Sequence, residues 1–227
     1  MTDAAICDMQ IANNYRDKGD FGRALTLYEK ANAKRLERRV MWKMKPLRWV
    51  TRGRHFSTKG KFAAAYADLK GCLDLVASVS GGRHERDALL CEVHHALAQH
   101  LRRQRYGVAW DRAISAYEIS LIHPTARAKG FANRTVAEVL TVVGAQPFDR
   151  RFVSDPDVYY QAALSAFQEV HSEVESARTL YLHALSLVQR GRKMAAARKL
   201  RHAMIIFTRL GMVHDAAKAA RAQLDVM

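Results

Sequence analysis

The sequence contains few residues of the kinds that interrupt helices. Only 4 Pro and 12 Gly occur in 227 residues, whereas 49% of the residues are hydrophobic. Because proline stops a helix and glycine weakens one, their scarcity predicts helix along most of the chain. The hydrophobic content is sufficient for one large domain or a short solenoid, and it excludes disorder of the whole chain.

Cysteine is scarce as well. Cys7, Cys72 and Cys91 are widely spaced and form no CxxC pair, which excludes a disulfide framework and a thiolate zinc site and favours a reducing compartment. The acidic N-terminus lacks the basic segment and apolar run of a signal peptide. No stretch approaches the roughly 18 apolar residues of a membrane span. We therefore expect a cytoplasmic protein without membrane insertion.

Acidic residues are scarce in two windows of the chain. Residues 30–61 hold twelve Lys and Arg with one acid, Glu37, and residues 190–213 hold seven Lys and Arg with none. Together with a formal net charge of +15, this favours a negatively charged partner or surface. Solvated helix faces that keep the protein soluble would have the same composition. The basic patch predicted in the first window comprises Arg38, Arg39, Lys43, Lys45, Arg48 and Arg52.

Small, aromatic and glycine residues recur at a fixed spacing. In the first occurrence, Ala12 and Tyr15 lie one turn apart on a helix, Gly19 makes a turn, and Ala24 and Tyr28 lie on one stripe of a second helix. Small residues allow two helix backbones to approach closely, so this spacing predicts a helical hairpin. The same spacing occurs twice more, within residues 46–75 and within residues 177–206.

This pattern resembles the tetratricopeptide family, whose hairpins carry a small residue and an aromatic on the first helix, glycine at the turn, and Ala, Phe or Tyr and Ala on the second. The resemblance implies an all-α fold: a right-handed α-solenoid of stacked antiparallel hairpins with a C-terminal capping helix. In the C-terminal third, Ala163 and Phe167 recur as Ala203 and Phe207 forty residues on, and these repeats are similar to those of bacterial signalling and regulatory proteins. We expect a single solenoid over 1–227, with clear repeats at 8–34, 46–75 and 177–206, divergent repeats at 85–122 and 125–172, and a capping helix at 213–224.

The same resemblance implies a binding groove, because the first helices of such hairpins line a concave surface. Members that grip an acidic peptide terminus use Asn and Lys or Arg there, since amides and cations hold carboxylates. Here Met9 stands where that clamp has Lys, and Thr51 where it has Asn, so we expect an internal acidic or mixed segment. The predicted groove residues are Met9, Asn13, Arg16, Val50, Arg54, Ser57, His95, Gln99 and Arg102.

The sequence offers little for catalysis or cofactor binding. It has no GxGxxG and no GxxxxGK[ST] segment to cradle a phosphate. Cys91, His94 and His95 lie close together on one helix, but a protein metal site needs three or four convergent ligands with supporting groups. No nucleophile and base can be paired. We predict no catalytic residue, no metal, no cofactor and no enzymatic activity.

Three functions fit these observations. The first is a non-catalytic scaffold or adaptor that binds an acidic protein or peptide segment through the basic groove. The second is a nucleic-acid-binding repeat protein using residues 30–61, where cations interleave with Trp49 and Phe56; the repeat register, however, assigns both aromatics to packing positions. The third is a regulatory sensor that binds a signalling peptide or small ligand and changes the curvature of the solenoid.

Overall fold

The part of the chain described by the computed structural model consists almost entirely of α-helices. The structure describes residues 2–33, 38–77, 83–101, 105–143 and 149–226. Within these ranges there are eleven helices and no strand, which confirms the predicted all-α class. The helices are Thr2–Asp17 (α1), Phe21–Ala33 (α2), Arg38–Thr58 (α3), Phe62–Ala77 (α4), Arg83–Leu101 (α5), Tyr106–Ile122 (α6), Ala126–Val143 (α7), Pro156–Glu169 (α8), Glu173–Gln189 (α9), Lys193–Arg209 (α10) and Val213–Leu224 (α11).

Consecutive helices pack as hairpins that stack in chain order, as predicted for an α-solenoid. Helices α1 and α2, α3 and α4, α5 and α6, α7 and α8, and α9 and α10 form the five hairpins, and α11 packs on α10. Among the odd-numbered helices, α3 contacts α5, α5 contacts α7, and α7 contacts α9, while α1 reaches α5 through the ion pair of Arg16 with Glu92. These helices form an inner layer. Side chains on one side of this layer link different hairpins, and we call that side the inner face.

The small and aromatic residues of the repeats hold each hairpin together. Ala12, Ala24 and Tyr28 are fully buried in the cluster between α1 and α2. The turns of the first and fifth hairpins have Gly19 at φ +82° and Gly191 at φ +74°. Residues with a Cβ rarely adopt this left-handed conformation, so glycine fixes the position of both turns.

The first helix of the second hairpin is longer than the expected repeat. Helix α3 begins at Arg38, upstream of the boundary we placed at residue 46, and Pro46 lies inside it. Proline favours the first turn of a helix, so a boundary drawn at Pro46 is natural from sequence. Pro46 is buried, and its carbonyl oxygen accepts a hydrogen bond from the Cys72 thiol at 3.3 Å.

Helix α5 lies at the centre of the molecule. Eight consecutive residues, 91–98, are buried, so this helix is covered on all sides along two turns. Its packing partners include α4, α6 and α7. The polar residues of this segment therefore face other helices, and they position the site described below. Over the described ranges, no helix is both long enough and apolar enough to cross a membrane.

Candidate partner-binding face

Charged side chains from all five inner helices meet on the inner face. Two buried carboxylates, Glu92 on α5 and Glu175 on α9, stand at the centre. Five arginines surround them, and we call these seven residues the arginine cluster. The arginines are Arg16 (α1), Arg54 (α3), Arg127 and Arg134 (α7) and Arg178 (α9).

Glu92 is shared by arginines from three other helices. One carboxylate oxygen lies 3.9 Å from Arg16 Nη1 and 3.6 Å from Arg54 Nη1, and the other lies 3.4 Å from Arg127 Nη2. Charge-assisted hydrogen bonds are normally about 2.7–2.9 Å long. Glu92 therefore neutralises three guanidinium groups loosely and binds none of them tightly.

Glu175 is held much more closely. Its carboxylate lies 2.5 Å from Arg134 Nη1 and 2.8 Å from Arg178 Nη1. Arg134 also lies over the rings of Phe131 and Phe167, 5.0 and 5.1 Å from the centroids. This pair joins α7 to α9 in an interior where removing either charge would leave the other uncompensated.

The cluster behaves as one electrostatic unit. Burial acts to raise the pKa of Glu92, but Arg16, Arg54 and Arg127 outweigh it and lower that pKa to about 2. Burial likewise acts to raise the pKa of Glu175, yet the surrounding arginines hold it well below its usual value. Burial lowers the pKa of Arg54, and the positive charges of Arg16 and Arg178 add to this effect. Cations from different hairpins therefore repel one another here.

Several buried polar atoms of the cluster make no hydrogen bond. Within the described residues, Arg16 Nη1, Arg54 Nε and Arg134 Nε donate none, and Glu175 Oε2 accepts none although it lies 2.5 Å from Arg134 Nη1. Two further carboxylates lie at the margin: Asp17 accepts from Arg16 at 3.0 Å, and Glu138 lies 3.9 Å from Arg134. Even counting both, five guanidinium groups face four carboxylates, so the positive charge is not fully neutralised.

The groove residues predicted on α1 and α3 lie in different environments. Arg16 and Arg54 belong to the arginine cluster, and Asn13 is half-buried and accepts a hydrogen bond from the Tyr28 hydroxyl at 2.5 Å. Met9 packs against the core of the first hairpin. Val50 is fully buried in the core formed by α3, α4 and α5, so it cannot line a surface as we predicted.

The remaining groove residues connect inner helices to one another. Ser57 lies 3.2 Å from His100 on α5, and the buried His95 lies 2.9 Å from Thr135 on α7. Gln99 donates to both oxygens of Glu138 on α7 at 3.1 Å. These side chains are therefore occupied by contacts within the protein. Arg102 lies outside the described residues.

The predicted basic patch is described only in part, since the side chains of Arg38, Arg39 and Lys43 lie outside the described residues. Lys45 is exposed, with its ammonium group 5.6 Å from the centroid of the Trp49 ring. Arg52 is held by two hydrogen bonds of 2.6 Å to Asp68, and Arg48 is half-buried. The Trp49 ring packs so closely on Gly71 that a Cβ there would come within 2.6 Å of it.

The cysteine and histidine residues considered for metal binding are parts of the interior. No group of three or more metal-ligating side chains occurs among the described residues. Burial raises the pKa of the Cys91 thiol to about 12 and, together with Arg112, lowers the pKa of His94 to about 4. A protonated thiol is a poor nucleophile and a poor metal ligand.

Five of the seven cluster residues were not identified from the sequence: Glu92, Arg127, Arg134, Glu175 and Arg178. The predicted groove used fixed positions of the repeat register, and these positions include only Arg16 and Arg54. The other members lie at different positions along their helices. The signal present in the sequence is a charged residue inside an otherwise apolar helix, such as Glu92 between Cys91 and Val93.

Comparison with known proteins supports the fold and goes no further. No protein-family model matches the chain, and no curated protein sequence matches it either. Among solved structures, the chain is similar to a Rap protein complexed with Competence and Sporulation Factor, with a TM-score of 0.64 and 11% sequence identity. The similarity covers 100% of this chain and 71% of that one. At this identity the likeness shows a common fold of stacked helices; membership of the tetratricopeptide family stays a prediction.

Proposed function

We propose that this protein is a non-catalytic, cytoplasmic interaction scaffold that binds an acidic segment of a partner protein on its inner face. The arginine cluster carries this proposal, because it presents incompletely neutralised guanidinium groups from several hairpins on a preformed surface. Arginine suits this task, since its planar fork of donors matches a carboxylate. Charge on such a face would steer association and make it sensitive to salt.

We favour a regulatory role for this scaffold. The solved complex of the Rap protein with Competence and Sporulation Factor supports it by analogy of fold. The position of the cluster supports it as well, because a ligand placed there would touch helices of both early and late hairpins. Nucleic-acid binding by residues 30–61 has less support, since Arg52 is occupied by Asp68 and Trp49 packs on Gly71.

Binding of labelled peptides measured by fluorescence anisotropy tests the proposed function. We expect a peptide of alternating Glu and Gly to bind, to weaken as salt is raised, and to lose affinity in the Arg54→Gln/Arg127→Gln variant. The Lys and Gly counterpart should not bind, and Arg201→Gln, an exposed change on α10, serves as the control. Equal binding of both peptides, or no binding at low salt, would contradict the proposal.

A further inference from the structure

Three guanidinium groups of the arginine cluster remain partly open to solvent. The side chains of Arg54, Arg127 and Arg178 are 17%, 37% and 21% exposed, respectively, whereas Arg16, Arg134 and the two glutamates are at most 5% exposed. The open arginines come from three different hairpins. A ligand on the inner face would therefore meet these three cations first, with the buried carboxylates beneath them.

Two guanidinium nitrogens of the same region have no hydrogen-bond acceptor. Arg54 Nε makes no hydrogen bond within the described residues, and neither does the buried Nη1 of Arg16. Buried polar groups in native proteins are nearly always paired, so an unpaired group calls for an explanation such as a water, an ion or a ligand. Because Glu92 is already shared by three arginines at 3.4–3.9 Å, it does not supply the missing acceptor.

We propose that the arginine cluster is an oxyanion subsite in which Arg54, Arg127 and Arg178 bind one carboxylate or phosphate group of the partner, above Glu92 and Glu175. This inference rests on the proposed function and names the chemistry that the inner face recognises. Both groups offer acceptor oxygens to guanidinium forks, and both would complete the charge balance of the cluster.

The surroundings of the subsite limit the partner to few charges. Beyond the cluster, α5 and α7 are linked by Gln99 and a further carboxylate, Glu138, and other links between hairpins are made by neutral side chains. Thr141 on α7 donates to Ser186 on α9 at 2.8 Å, and Ser57 lies 3.2 Å from His100. A segment that crosses this region meets hydroxyl, amide, imidazole and carboxylate groups. The favoured ligand therefore carries a single anionic group followed by neutral polar residues, and an acidic run would gain little beyond its first charge.

Isothermal titration calorimetry with simple probes tests the subsite. The probes are inorganic phosphate and three short Ala/Ser peptides that are identical except for a central Glu, Gln or phosphoserine. We expect the Glu or phosphoserine peptide to bind at least about tenfold more tightly than the Gln peptide, since a hydrogen-bonded charge is worth that much or more. The ratio of the two anionic peptides tells a carboxylate ligand from a phosphate ligand.

Two substitutions of opposite sign separate a binding role from a structural one. Arg127→Gln removes the most exposed cation and should weaken the anionic peptide and phosphate about tenfold, whereas Arg201→Gln on α10 should leave both unchanged. Glu92→Gln preserves shape but removes a competing negative charge. It should therefore tighten phosphate binding severalfold even though it lowers the melting temperature. If the cluster had only a structural role, Arg127→Gln and Glu92→Gln would both lower the melting temperature and the affinity for phosphate together.

The outcomes distinguish the subsite from the proposed function. Equal affinity for the Glu, Gln and phosphoserine peptides would overturn the subsite, while binding of the Glu/Gly peptide would still uphold the scaffold. Weaker phosphate binding in a folded Glu92→Gln variant would overturn the subsite as well. If Glu92→Gln fails to fold, circular dichroism will show it. The affinities of Arg127→Gln and Arg201→Gln for the anionic peptide are then compared, and equal values overturn the subsite.

Discussion

Replacing Arg134 by methionine tests whether the buried ion pair between α7 and α9 holds the fourth and fifth hairpins together. The Arg134 side chain is 3% exposed and lies 2.5 Å from Glu175, which is itself 5% exposed. Methionine keeps most of the volume and the contact with Phe131 and Phe167, so the change removes mainly the charge. Glu175 would keep one close cation, Arg178 at 2.8 Å.

The expected loss in the free energy of unfolding is about 3–5 kcal/mol, the usual cost of breaking a buried pair from one side. Loss of the cation–π contacts with two rings acts in the same direction. Because Arg178 still compensates Glu175 in part, we expect a value near the lower end of this range. That is a large fraction of the about 5–15 kcal/mol by which domains are normally stable.

Urea unfolding followed by far-ultraviolet circular dichroism measures the loss. Arg209→Met is the matched control, because Arg209 lies at a similar distance, 2.6 Å, from Glu173 on the surface, where the side chains are 59% and 47% exposed. Exposed pairs contribute at most about 1 kcal/mol. If Arg134→Met and Arg209→Met lower stability equally, the buried pair does not hold the hairpins as we infer.

Two further changes test packing and protonation. Gly130→Ala would place a Cβ 2.6–2.8 Å from the Phe167 ring and should lower the free energy of unfolding by about 1–3 kcal/mol in urea. The control is Gly107→Ala on α6, where a Cβ meets nothing within 4 Å, and it should raise the free energy of unfolding slightly. If Gly130→Ala does not lower stability, the inferred packing is wrong. His94 has a pKa lowered from 6.5 to about 4 by burial, so the folded protein resists protonating it and stability falls as the pH drops from about 6.5 to 4. Removing this group in His94→Gln should make that fall shallower when the melting temperature is measured across the pH range; an unchanged slope would show that His94 does not contribute.

The hairpins were predictable from sequence because they depend on residues close together in the chain. Ala12, Ala24 and Tyr28 recur at a spacing that only a helical pair can bury together, and glycine marks the turns. The beginning of α3 was not predictable, since Pro46 has the features of a helix start and lies within a helix. Local pattern thus predicted the elements and their order of stacking.

The arginine cluster was predictable only in part, since it depends on how far the stacked hairpins curve towards one another. Arg16 and Arg54 follow from the repeat register. Their contact with Glu92 does not, because it joins helices from three hairpins. Val50 shows the opposite error: the repeat register predicted a position on the groove surface, but the side chain is fully buried in the same cluster as Leu69.

The ion pair between Arg16 on α1 and Glu92 on α5 joins the first hairpin to the third, which are not neighbours in the stack. In most repeat arrays each unit touches only its neighbours, so units can be added or deleted during evolution with little harm. Here the first and third hairpins depend on the one between them having the right thickness. Inserting or removing a hairpin at this place would separate Arg16 from Glu92 in the interior, so a change in the number of repeats in this half of the protein carries an electrostatic cost.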